Sequence, residues 1–190
     1  MKAMQVISLT LLSIMTASAQ IFVPDKCPKP PVKENFDPAR YLGKWYEIQK
    51  LPNSFQKGEC GNAIYSLKSP GVIGVLNRGL LADGTVSSIT GSAKPKDPSE
   101  PAKLEVSFFE DSPPGPYWVL STDYEGHSLV YSCRNFGTFH VERAWILSRQ
   151  PTLAEGTIEE LHSLMASYGL SEAKMTTTQQ DEAFCRAMDQ

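Results

Sequence analysis

Between residues 43 and 148 the chain rarely runs far beyond ten residues without a turn signal. Pro70-Gly71, Asp83-Gly84, the run from Pro95 to Pro101, Pro113-Pro114-Gly115 and Glu125-Gly126 cut it into short segments, and such residues belong to turns rather than helix interiors. Strands are expected near 43 to 51, 60 to 68, 72 to 81, 85 to 94, 102 to 109, 116 to 124, 128 to 134 and 138 to 148. Eight short strands at this spacing point to a sandwich or a barrel. No internal repeat is evident.

One later segment has a different period. From Thr152 to Gly169, the apolar residues Ile158, Leu161, Leu164, Met165 and Tyr168 recur at helical spacing. Thr152-Leu153-Ala154-Glu155 has the form of a capping box, Glu159 and Glu160 suit the positive end of the helix dipole, and Gly169 suits the stop. A helix this short needs tertiary contacts for stability, so its single apolar stripe should lie against the sheet.

Strand patterning tells which part of the sheet it covers. Residues Lys103 to Phe108 alternate polar and apolar, as in a strand wet on one face, whereas Tyr117-Trp118-Val119-Leu120 and Ala144-Trp145-Ile146-Leu147 are apolar on both faces. The later strands are therefore buried twice. The expected fold is all-β: an eight-stranded up-and-down antiparallel barrel with one C-terminal α-helix packed on its outside. An N-terminal arm (20–42) precedes the barrel (43–149), and the helix (152–169) is followed by a tail (170–190).

Residues 1–19 read as a cleaved secretion signal: Lys2, an apolar run from Ala3 to Met15, then Ala17-Ser18-Ala19. That run is too short, and too interrupted by Ser8, Thr10 and Ser13, to span a bilayer, and no later stretch approaches the ~20 apolar residues required. Residues 20–190 then form one secreted, extracellular domain, with no membrane insertion. The formal charge of −3, with no basic block, argues against nucleic acid as a partner. Cys27, Cys60, Cys133 and Cys185 suit two disulfides in an oxidising compartment, and on spacing alone all three pairings stay open.

Enzyme chemistry finds little support. His127, His140 and His162 are far apart, the carboxylate pairs Glu110-Asp111 and Glu159-Glu160 suit a turn and a helix end, and neither a nucleophile elbow nor a phosphate loop occurs. No metal and no cofactor are expected. By alternation the inward set is Ala63, Tyr65, Leu67, Val75, Asn77, Val106, Phe108, Tyr117, Val119, Val130 and Trp145. Apolar walls with sparse polar tips suit one small hydrophobic ligand.

Three short motifs carry a family resemblance. Gly43-Lys44-Trp45 before the first barrel strand, Thr122-Asp123-Tyr124 at the end of the sixth and Arg149 after the eighth resemble, in order and spacing, the signatures of the lipocalins. Cys27-Pro28, Asn35-Phe36-Asp37, Tyr41 to Ile48, Leu80 to Val86, Glu100 to Val106, Pro116-Tyr117-Trp118 and Ala144 to Leu147 extend the similarity to one member of that family over nearly all of residues 20–190.

The resemblance implies specific roles. Trp45 would plug one end of the barrel with Arg149 across its face, and Gly43 would allow the tight turn into the strand. The disulfides would be Cys27–Cys133 and Cys60–Cys185. Tyr65, Asn77, Phe108 and Trp145 would face the ligand, and alternation adds Tyr117 and Val130. The function implied is a secreted carrier of a fatty acid, steroid or similar lipid, for transport or protection, and a monomer is expected.

Departures from the family pattern narrow this further. No N-glycosylation sequon follows Asn35, Asn53, Asn62, Asn77 or Asn135, and the polar stretch Glu110 to Gly115 at the expected loop tip argues against attachment to lipoprotein particles. Two alternatives are a lipocalin-type isomerase, which requires a free thiolate, and a module that acts through its outer surface with a filled barrel.

Overall fold

The structure is a computed structural model that describes residues 20–189; the expected signal, residues 1–19, lies outside them. Among the described residues ten strands form: β1 (Ile21–Pro24), β2 (Gly43–Lys50), β3 (Glu59–Ser69), β4 (Val72–Leu80), β5 (Val86–Pro95), β6 (Lys103–Ser107), β7 (Gly115–Thr122), β8 (His127–Phe136), β9 (Phe139–Ser148) and β10 (Thr176–Thr177). From β2 to β9 each strand pairs antiparallel with the next, and β2 pairs with β9, which closes an eight-stranded barrel. The boundaries match those expected to within a few residues, because proline and glycine turns set them.

The arm and tail hold structure that sequence patterning did not anticipate. β1 adds to the first half of β9, with Ile21 opposite Glu142. Helix α1 (Pro38–Tyr41) follows Asp37, whose carboxylate accepts from the Ala39 amide at 2.9 Å, and Pro38 takes the first helical position, where no amide is needed. At the other end of the chain, β10 and helix α3 (Glu182–Cys185) lie within the expected tail.

That tail fills a seam in the barrel. β2 pairs with β3 only from Gly43 to Tyr46, and beyond this point the two strands part. Residues 176–180 enter the gap. Thr178 N donates to Ile48 O, Cys60 N donates to Gln179 O, and the Gln180 amide donates to the carbonyls of Glu47 and Gly61. Backbone groups left bare by the splayed strands are thereby satisfied.

Helix α2 (Glu155–Ser167) covers the barrel where expected. Ile158, Leu161, Leu164, Met165 and Tyr168 pack with Leu120, Leu129, Tyr131, Ala144 and Ile146 from the outer faces of β7, β8 and β9. Leu161 and Met165 are buried, each worth roughly 1.5–3 kcal/mol. The C-terminal stop also holds: Gly169 takes φ +70°, its amide reaches Ala166 O, and Leu170 N reaches Met165 O, the double bond of a Schellman end. The capping box is corrected. The helix begins at Glu155 with Ala154 as N-cap and no side-chain cap, while Thr152 offers its carbonyl to Ser148 Oγ at 3.1 Å.

The disulfides are Cys27–Cys133 and Cys60–Cys185, the pairing implied by the resemblance. A second correction concerns Leu67, expected to point inward but 69% exposed. β2 runs beside β3 only as far as Tyr65. Leu67 therefore has no strand on that side to cover it.

Candidate functional site

One end of the barrel is sealed from the sequence upward. Gly43 has φ +97°, and a Cβ there would lie 3.2 Å from Arg149 Nη1, so glycine alone fits without strain. Trp45, two residues on, is 0% exposed and donates its indole N–H to Tyr41 O at 2.9 Å. The Arg149 guanidinium sits 3.8 Å from the Trp45 ring centroid and donates to the carbonyls of Tyr124, Lys44 and Arg40. A cation over an indole contributes ~0.5–2 kcal/mol, and its three bonds tie β2, α1 and the β7–β8 turn together.

Thr122-Asp123-Tyr124 forms that turn. Asp123 Oδ1 accepts from the amides of Gly126 and His127, Thr122 Oγ1 donates to His127 O, and Tyr124 adopts φ +72°. Side chains that bond their own backbone fix turns in this way. The buried tyrosine stacks on Phe36, its hydroxyl accepting from Asp37 N at 2.9 Å beneath the Arg40 guanidinium.

Above the plug lies a tyrosine cluster. The Tyr117 hydroxyl is 2.8 Å from that of Tyr65 and 3.1 Å from that of Tyr41, and Tyr41 also meets Ser128 Oγ at 2.9 Å. Burial raises the pKa of all three, that of Tyr41 to about 12. The unfolded chain, with ordinary tyrosines near 10, ionises first as pH rises. The stability tied to these neutral phenols is therefore complete below pH ~10 and is lost from there through about 12. In an alkaline titration, tyrosinate absorbance for part of the tyrosine set should appear only together with unfolding.

The expected ligand set falls on this interior surface. Tyr117 stacks with Trp145 at 6.4 Å, Val130 lies opposite Trp145 in register, and Phe108 packs on Gly91, where a Cβ would come within 2.7 Å of its ring. Asn77 stands apart from these rings and lines the void that remains. This cavity, about 220 Å³, lies toward the end opposite Trp45 and is bounded by Glu47, Lys50, Gln56, Gly61, Asn77 and Ile89. It is smaller and more polar than a wholly apolar lumen, because the aromatic rings meet across the barrel. A larger void of about 420 Å³ lies outside the barrel, between Lys26 to Lys29 and the side chains of Trp118 and Tyr131.

Sequence reasoning did not single out the polar chain that links the neighbouring strands β9 and β2 through the β2–β3 loop. The Trp145 indole donates to Gln56 Oε1 at 2.7 Å and the Gln56 amide donates to Glu47 Oε2 at 3.0 Å. Glu47 Oε1 accepts from Lys50 Nζ and Thr178 Oγ1, both at 2.7 Å. Glu47 is 3% exposed and shares the parity of Trp45, the signal that could have placed it inside. Among the described residues, no group of three His, Cys, Asp or Glu is placed to hold a metal, and all four cysteines are in disulfides.

Comparison with known proteins agrees with this geometry. The family described as a lipocalin-like domain matches residues 36–180. Apolipoprotein D of Mus musculus is 54% identical over 171 residues, which covers 90% of this chain and 89% of that protein. Among solved structures, insecticyanin of the tobacco hornworm Manduca sexta is 26% identical with a TM-score of 0.75, covering 87% of this chain and 92% of its own. Lobster apocrustacyanin A1 shares the fold, with a TM-score of 0.74 at 24% identity over 85% of this chain and 92% of its own. With the sealed end, the closed strand order and a family match that spans most of its length, the chain belongs to the lipocalin family.

Proposed function

We propose that the protein is a secreted, monomeric carrier that holds one small hydrophobic ligand, a fatty acid, steroid or similar lipid, inside the barrel. The observation that carries this reading is the cavity at the end opposite the Trp45 plug, one of whose lining residues, Gln56, accepts the Trp145 indole N–H. The identity shared with apolipoprotein D favours a lipid among small apolar molecules.

Small-molecule sites usually run from ~300 Å³ upward, so the void of about 220 Å³ takes only part of such a ligand. Trp145 and Phe108 are half-buried, and rotation of their side chains would extend it. Removing ~300 Å² of ligand surface from water is worth up to ~7 kcal/mol before association costs. Affinity no tighter than the micromolar range follows.

Trp145→Ala tests this reading. Loss of the indole removes a wall of the site and frees Gln56. Titration calorimetry with a fatty acid should show affinity about tenfold weaker while circular dichroism stays unchanged. Equal affinity in both proteins would speak for the second reading, a filled barrel acting through its outer surface, which the tight tyrosine cluster and small void favour.

A further inference from the structure

Arg143 is out of place for an interior position. On β9, Trp145 and Leu147 belong to the barrel's inner cluster, while Ala144 and Ile146 pack under helix α2. Parity therefore turns Arg143 to the inner face, one pair nearer the mouth than Trp145. Its register partner is Ser132, and Arg134, two residues further along β8, shares that face and donates to Pro114 O at 3.0 Å.

A charge in such a place should be paired. Arg143 Nε is buried and has no hydrogen-bond partner among the described residues, and neither Arg143 nor Arg134 joins any ion pair formed there. The buried carboxylate of Glu47 is already taken by Lys50, and Glu110 and Asp111 on the β6–β7 loop are exposed. What faces the guanidinium is an aromatic ring: Phe55, itself largely exposed, borders the cavity at the mouth and lies with its centroid 5.2 Å from Arg143 Cζ. Burial, and next the charge of Arg134, push the Arg143 pKa down. In a chain of net charge −3, the buried charge left unpaired on the inner face of β9 is positive.

We propose that Arg143, with Arg134 beside it, is the anion-recognising point of the barrel mouth and selects ligands with a single carboxylate on an apolar tail over neutral molecules of the same shape. This rests on the carrier reading. The head stays at the rim against Arg143 while the tail passes Trp145 into the interior. A guanidinium suits the role because its planar fork can hold both carboxylate oxygens, and charge-assisted bonds of this kind are about twice as strong as neutral ones.

Laurate and methyl laurate, which differ in charge at the head, separate the two claims. Titration calorimetry on the wild-type protein should show laurate bound at least tenfold more tightly than the ester. In Arg143→Gln the ratio should fall to about one with ester affinity unchanged, which also shows that the variant is folded. Arg143→Lys, which keeps the charge without the fork, should retain a reduced preference for the acid. If Arg143→Gln left the ratio at its wild-type value, or weakened both ligands equally, the assignment of Arg143 would fall and the carrier reading would stand. If neither ligand bound the wild-type protein, both would fall.

Discussion

Replacing Trp45 by alanine is expected to lower the unfolding free energy by about 3–5 kcal/mol, the usual cost of deleting a large buried aromatic. Trp45 is completely buried, its indole N–H is bonded to Tyr41 O, and its face carries Arg149. The substitution also leaves the guanidinium over an empty space and an orphaned carbonyl at the end of α1. For a domain of this size the loss corresponds to roughly 6–20 °C in melting temperature. A thermal scan of the purified protein measures it directly. A melting temperature within a degree or two of wild type would mean that the plug contributes nothing, and that Tyr41 and Phe36, which pack edge to face beside it, seal the end on their own. Ligand affinity is expected to change much less, because the plug and the cavity lie toward opposite ends of the barrel.

How much of this was legible beforehand depended on whether a residue's role was local. The barrel strands could be read because each is bounded by turn residues whose backbone preference acts at short range, as at Pro70-Gly71 and Asp83-Gly84. The helix could be placed on β7, β8 and β9 because two-faced burial leaves a mark in sequence, seen in Tyr117 to Leu120 and Ala144 to Leu147. β1 and β10 left no such mark. Each pairs with an edge made available by strands far away, Thr176 with Lys50 and Ile21 with Glu142, so no local pattern announces it.

The site shows the same division. Alternation placed Tyr65, Tyr117, Val130 and Trp145 on one inner surface, which the register reproduces. It could not show that the rings would meet across the barrel, since cavity volume depends on rotamers rather than parity. Nor did apolar patterning find Glu47 and Arg143, because an inward charge breaks the pattern by which the inner face is recognised. Leu67 failed for the opposite reason: its parity was right, but its strand runs past the neighbour that would have covered it.

Removing the Cys60–Cys185 disulfide by a double substitution to alanine should cost about 2–5 kcal/mol and also weaken ligand binding, whereas removing Cys27–Cys133 should cost a similar amount with binding unchanged. The similar cost follows from similar chain closure, since the bridges span 125 and 106 residues and the entropy of closing a loop grows only slowly with its length. The different effect on binding follows from what each bridge holds. Cys27–Cys133 fastens an arm that has other attachments, through the pairing of β1 with β9 and the bond from Lys33 N to Val119 O. Cys60–Cys185 fastens the tail, whose Thr178 hydroxyl donates to Glu47, which holds Gln56, which holds the Trp145 indole. Freeing the tail opens the β2–β3 seam and loosens the one polar chain that orients a wall of the cavity. Urea unfolding with paired calorimetric titrations of the two variants would distinguish the bridges. Equal binding loss in both would show that the disulfides act only by constraining the unfolded chain, and that the seam between β2 and β3 has no part in shaping the cavity.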